Sequence, residues 1–311
     1  MVEQLLAQGF IIGVLATSIR LTAPMLFAAL GEMFAERASV LNLGVEGIML
    51  MGAYFAFWAS FTSGSPWLGL VAGMAIGGLM GLGMAFISVN LRANQGISGI
   101  GIYLLGWGLS GLFFRLTFGA ISGVAGFQPM HIPILSAIPV LGPVLFQHNV
   151  LVYIALLLVP LSYVVLFKTT FGLSLRAVGE NPEAADTMGI PVYLIQYVSV
   201  ILGGILAGLA GAFLTVGQMN MFVDNITAGR GFIAIALVYF GRWSPYGILA
   251  GSFLFSIVDA LQMWLQVIGL GVPYEVLVMQ PYILTVLVLA MAVGRSGGPA
   301  ALSKPYVRGG T

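Results

Sequence analysis

The chain has 311 residues, of which 59% are hydrophobic and 7% charged, and its formal net charge is +1. A soluble globular domain carries about 25% charged residues, so the composition excludes a water-soluble fold and reads as a polytopic membrane protein. The near-neutral balance gives no case for nucleic acid. With no cysteine there is no disulfide, thiolate ligand or thiol nucleophile.

Met1–Phe10 carries Glu3 and no basic residue, unlike a secretory signal peptide. Apolar windows of about 20 residues then fall near 9–31, 44–63, 66–90, 96–119, 149–167, 192–218, 231–243, 246–269 and 275–294. They predict one all-α transmembrane domain over 1–311, with about nine segments and a range of eight to ten. Arg20 lies near the middle of the first window and Asp259 near the middle of the eighth. Their matching depth predicts a buried ion pair, with a role for Asp259 in the passage of substrate as the alternative. The second window opens after Asn42-Leu43-Gly44, an irregular start. Glu46, just behind it, either lines a polar gate or caps the helix and faces the interface. Gly69, Gly73, Gly77 and Gly81 form one stripe, and Gly204/Gly208 and Gly247/Gly251 repeat its spacing. Such stripes let helix backbones approach closely, within a subunit or between two. The seventh window, roughly 20 Å of helix, crosses only part of a bilayer.

Two connections are long. Residues 120–148 hold Pro129, Pro133, Pro139 and Pro143 and almost no charge, which predicts a compact cap or re-entrant element. Lys168–Pro191 is polar, with Lys168, Arg176, Glu180, Glu183 and Asp186. Unpaired charge of this kind does not lie in hydrocarbon. Within it Asn181 is a good N-cap, Pro182 suits the first helical position and Glu183 complements the helix N-terminus. The predicted short helix runs through Ala184, Ala185 and Met188 and stops at Gly189 and Pro191. If this loop is cytoplasmic, alternation gathers Arg37, Arg92, Lys168, Arg176, Arg242, Arg295, Lys304 and Arg308 on the same side. The other side keeps Arg230 and, at a span end, Arg115. The positive-inside rule then puts the loop and the 295–311 tail in the cytoplasm, residues 120–148 outside, and the N-terminus outside.

The chemistry that is absent narrows the function. There is no GxxxxGK[ST] phosphate loop, no HExxH and no GxSxG. His131 and His148 are two lone histidines in the 120–148 connection and make no metal site. No catalytic constellation, cofactor site or metal set is predicted.

Three stretches carry a resemblance: AERASVLNLGVEGIMLMGAY (35–54), LRAVGENPEAADTMGIPV (175–192) and AGRGFIAIALVYFGRWSPYGILAG (228–251). Together they resemble the permease subunits of bacterial ABC importers of the branched-chain amino acid and simple-sugar family, nearest the nucleoside and simple-sugar branch, over about residues 10–294. The middle stretch matches the family's cytoplasmic coupling loop. The resemblance implies a bacterial inner-membrane transport subunit that is not itself an enzyme. It also implies partner ABC ATPases, a second homologous permease and an extracellular binding lipoprotein. Arg176, Glu180, Asn181, Glu183 and Asp186 would make polar contacts or hold the helix that contacts the ATPase, together with Pro182 and Gly189. Ala184, Ala185 and Met188 would fill the ATPase groove. Asn42, Glu46, Asn94, Gln95 and Asp259 are candidates for the translocation pathway. A nucleoside is the first expected substrate, then a simple sugar, then a branched-chain amino acid. An ion-coupled secondary transporter is the alternative of another class.

Overall fold

The computed structural model describes residues 8–119, 123–131, 133, 135–268, 273–292 and 297–309. Glu3 and Arg295 lie outside the described residues. Those described form an all-helical bundle with no strand among them. Seven helices are long and apolar enough to cross a membrane, and two apolar helices are shorter.

Helix α1, Gln8–Arg37, is 30 residues long, or about 45 Å. Leu26–Leu30 and Met33 are fully buried, so the stretch over Leu26–Leu30 is apolar on every side and the helix forms the central post of the bundle. It ends in a Schellman turn. Ser39 takes the left-handed conformation at φ 69°, and the Ser39 and Val40 amides donate to the Glu36 and Ala35 carbonyls at 2.9 and 3.0 Å. The Gln196 amide donates to the Ser39 hydroxyl at 3.0 Å and braces this unusual serine.

Around the post stand α2 (Val45–Ser63), α3 (Pro66–Ala85, extended by a π-turn at Phe86–Asn90) and α4 (Gln95–Thr117). After the short α5 (Leu141–Leu145) come α6 (Val150–Lys168), α7 (Thr170–Glu180) and α8 (Pro182–Thr187). Helix α9 (Val192–Ala212) continues as a π-turn over Phe213–Met219. It is followed by α10 (Arg230–Phe240), α11 (Pro245–Ile268) and α12 (Tyr274–Ala292). Helix α10, with 11 residues, is about 16 Å long and too short to cross.

The glycine stripe of α3 closes an interface inside this chain. A Cβ on Gly73 would lie 2.9 Å from the Gly52 carbonyl, and one on Gly81 would lie 2.9 Å from that of Val200. Gly204 and Gly208 of α9 meet Gly77 across the same contact. Helices α2, α3 and α9 thus touch backbone to backbone. By contrast, α4 turns Ile97, Leu104, Leu105, Leu112 and Leu116 outward.

The π-turn that ends α9 leaves carbonyls free of the usual ladder, and the 123–149 segment takes them up. The Phe127 amide donates to the Val216 carbonyl at 2.8 Å. The Asn149 side chain donates to Gly217 at 2.6 Å while its oxygen caps α6.

Candidate functional site

The 168–191 segment contains two helices where the sequence predicted one. Thr169 caps α7 by accepting from the Gly172 amide at 3.1 Å. Leu175 and Val178 are buried beneath it, and Arg176 lies over the Phe167 ring, 5.2 Å from its centre. The signal was present as a Thr cap followed by Phe171, Leu175 and Val178 at helical spacing, although it sits inside a polar stretch. Asn181 separates the two helices, ending α7 and accepting from the Ala184 amide at 3.0 Å to start α8. Pro182 opens α8 and Glu183 lies in its first turn. Gly189, at φ 82°, ends it in a second Schellman turn.

The face of α8 differs from the one expected. Ala185 is buried at 4% exposure, turned into the protein and unable to enter a partner's groove, whereas Met188 is 82% exposed. Ala184, Glu180 and Glu183 are also exposed. Asp186 faces back toward the C-terminal segment, where the Arg308 guanidinium approaches it to 3.0 Å.

Deeper in the bundle, the irregular stretches are tied down by carboxylates. Glu46 is buried and accepts from the Thr227 hydroxyl and the Gly229 and Gly231 amides at 2.5–2.7 Å. It therefore clips the start of α2 to the start of α10, where free amides and the helix dipole favour an anion. Asn42 is buried; its side chain accepts from the Gly44 amide, and its own amide donates to Glu32 at 2.8 Å. Gln95 is buried and accepts from the Leu41 amide at 2.8 Å. Asn94 is exposed and caps α4 through the Ile97 amide. Of the five pathway candidates, these four are each engaged by hydrogen bonds from backbone amides.

The fifth, Asp259, requires a correction. It does not pair with Arg20. Its partner is Arg230, 3.4 Å away at the start of α10, with both side chains mostly buried. Asp259 is the fifteenth residue of the 24-residue α11, about 21 Å from its start, so the pair lies at mid-helix depth. It lines a cavity of about 300 Å³ with Met25, Gln262 and Tyr282. The sequence placed Arg230 outside the spans because the seventh apolar window opens at residue 231, one residue after the charged start of α10. Arg20 is exposed and lines a separate cavity of about 500 Å³ with Gln128, Gln147, His148, Gln218 and Asn220. Burial lowers the His148 pKa, and Arg20 lowers it further, against a hydrogen bond to the Val144 carbonyl.

Sequence reading gave no role to two acids, although Glu36 stands in the 35–54 stretch. Glu32 and Glu36, one turn apart on α1, are fully buried. The first window stopped short of them, but the helix runs on to Arg37. The Trp243 indole donates to Glu36, and Arg37 donates to the Trp243 carbonyl at 3.1 Å. Glu32 thus holds the α1–α2 joint at Asn42, and Glu36 holds the α10–α11 turn at Trp243. No group of three or more potential metal ligands occurs among the described residues.

A bundle of membrane-length helices, interrupted at buried polar joints, defines a polytopic membrane protein. Residues 14–292 match the family described as "Branched-chain amino acid transport system / permease component", and the chain belongs to that family. It is therefore a transport component of ABC systems and not an enzyme. It is 38% identical to TsgC13 of Haloferax volcanii, provisionally named a glucose ABC transporter permease, over 96% of this chain and 99% of that one. It is 36% identical to the guanosine ABC transporter permease NupQ of Bacillus subtilis, over 92% and 94% respectively. A solved inward-facing structure provisionally assigned to a metal-chelate type ABC transporter shares the fold. Its TM-score is 0.54 at 12% identity, covering 93% of this chain and 88% of that one.

Proposed function

We propose that the chain is one membrane-spanning subunit of an ABC importer for a nucleoside or simple sugar. The observation that carries this reading is full-length similarity at 36–38% identity to permeases named for guanosine and glucose. Helix α8 with its flanks is the contact with the ATPase: Glu183 and Ala184 of α8, Glu180 at the end of α7 and Met188 just after α8 form the contact face. Its capped ends and high exposure support this. A second permease covers the outward apolar face of α4, and an extracellular binding protein delivers substrate near residues 123–149. Glu46, Asn42 and Gln95 hold the broken helices in register, and Asp259 with Arg230 stands nearest the pathway.

The 168–191 segment and the C-terminus face the cytoplasm, in a bacterial inner membrane. This orientation gains support from Arg230. Once Arg230 is paired inside the bundle, the side opposite α8 keeps Arg115, which itself faces Asp224 at 3.5 Å, and Arg20 beside Gln147 and His148, against the larger set of basic residues on the α8 side. The test is uptake of labelled guanosine, uridine, glucose and leucine in cells with and without the gene. Loss of nucleoside or glucose uptake, with leucine uptake intact, is the expected result. Loss of leucine uptake alone overturns the substrate assignment. Uptake that persists without ATP on an ion gradient overturns the ABC reading.

A further inference from the structure

The C-terminal segment, 297–309, folds back under the bundle and touches five elements. Gly298 lies against the Trp243 indole, where a Cβ would come within 2.5 Å of the ring. The Ala301 amide donates to the Gly179 carbonyl at the end of α7, at 3.0 Å, and the Ser303 amide donates to Ser39, at 3.2 Å. Tyr306 is buried with its ring 5.5 Å from that of Tyr193, at the start of α9. The Arg308 amide donates to the Tyr193 hydroxyl at 3.4 Å, and the Arg308 guanidinium meets Asp186 of α8.

The set of partners matters more than any one contact. Ser39 lies in the α1–α2 joint and Trp243 in the α10–α11 turn, the two places held by Glu32 and Glu36. Helix α8 itself has six residues and one buried side chain, Ala185. A helix this short, with so little buried area, has few direct contacts through which to move the spans. We propose that residues 297–309 form a strut that transmits displacement of α8 to the α1–α2 and α10–α11 joints, with Arg308, Tyr306 and Gly298 as positioning residues. The proposal rests on the reading of α8 as the ATPase contact. Its physical content is a contiguous chain of packed groups between a moving surface helix and the interrupted spans.

The test uses the assembled transporter in liposomes: this chain with its permease partner, ATPase and binding protein. ATP hydrolysis is measured with and without loaded binding protein, alongside uptake. Deleting residues 297–311 is expected to leave assembly and unstimulated hydrolysis in place while stimulation and uptake each fall by roughly fivefold or more. Asp186→Arg and Arg308→Glu are each expected to weaken stimulation, and the exchanged pair to restore it. That rescue would not follow if Asp186 simply touched the ATPase. If the deletion prevents assembly, the charge exchange decides. Unchanged stimulation in the deletion, or no rescue by the exchanged pair, overturns the strut. If the unaltered assembly shows no stimulation, the importer reading falls first and the strut falls with it.

Discussion

The α7–α8 end and the Glu46 joint are both polar interruptions of an apolar chain, built on opposite principles. At α7–α8 the bonds that start each helix are local. Thr169 serves an amide three residues on, and so does Asn181. At the joint the bonds are distant, since Glu46 satisfies amides 183 and 185 residues later in the chain. A local device can be weakened in place at small cost to the bundle. A distant one joins two elements that the membrane gives no other polar partner, so its loss is costly.

That contrast can be broken most directly at Glu46. Glu46→Ala leaves two buried donors and one half-buried donor without an acceptor, at about 1–3 kcal/mol each. The expected loss is roughly 3–5 kcal/mol, read as a large drop in melting temperature and yield in detergent. Glu46→Gln, which keeps an acceptor oxygen, should lose less. Equal tolerance of both changes would show that the joint does not hold α2 to α10.

The next effect is at Asp259. Removing it strands Arg230, and Asp259→Ala should cost about 2–3 kcal/mol, below the ~3–5 kcal/mol of a fully buried pair. Changing both residues to leucine should recover part of that stability. Arg20→Leu should leave the stability effect of Asp259→Ala unaltered; strong coupling between them in a double-mutant cycle would restore the pair predicted from sequence.

At the local end, Asn181→Ala should cost only about 1 kcal/mol as a lost cap, within the scatter of whole-protein melting. Uptake is nonetheless expected to fall clearly, because the start of α8 loses its definition. Glu183→Arg should act the same way through the helix N-terminus and the contact face. Normal uptake by both variants would make α8 an ordinary loop.

The smallest effect concerns pH. The His148 pKa lies below its usual 6.5 in the folded protein, mainly because the ring is buried. The unfolded chain therefore takes up a proton at higher pH than the folded one. The contribution is fully present above 6.5 and is lost as pH falls through that value toward the folded pKa. Melting temperature should fall on acidification across this window, and His148→Gln should flatten the slope.

What could be read from the sequence follows the same division. Span positions, the Asn181 cap, the Gly189 stop and the glycine stripe are local or periodic patterns, and each stands in the structure near its expected place. The Arg20–Asp259 pair failed because depth along two helices does not say which faces meet. Glu32 and Glu36 were passed over because an acid near a span end looks like the start of a loop, and only the Trp243 and Asn42 partners reveal that the helix continues. Ala185 was assigned outward because a six-residue helix has too few positions to reveal a buried face. The C-terminal segment carries no periodic signal, and its contacts are all with distant residues.

The glycine contact between α3 and α9 fixes a length scale for experiments on movement. Where two backbones meet with no side chain between them, no rotamer can change to take up a shift, and the pair travels as one body. Spectroscopic labels at the outward-facing Leu79 on α3 and Val198 on α9 should therefore keep a constant separation through the transport cycle. They supply an internal ruler against which displacement of α4, α8 or α10 can be measured.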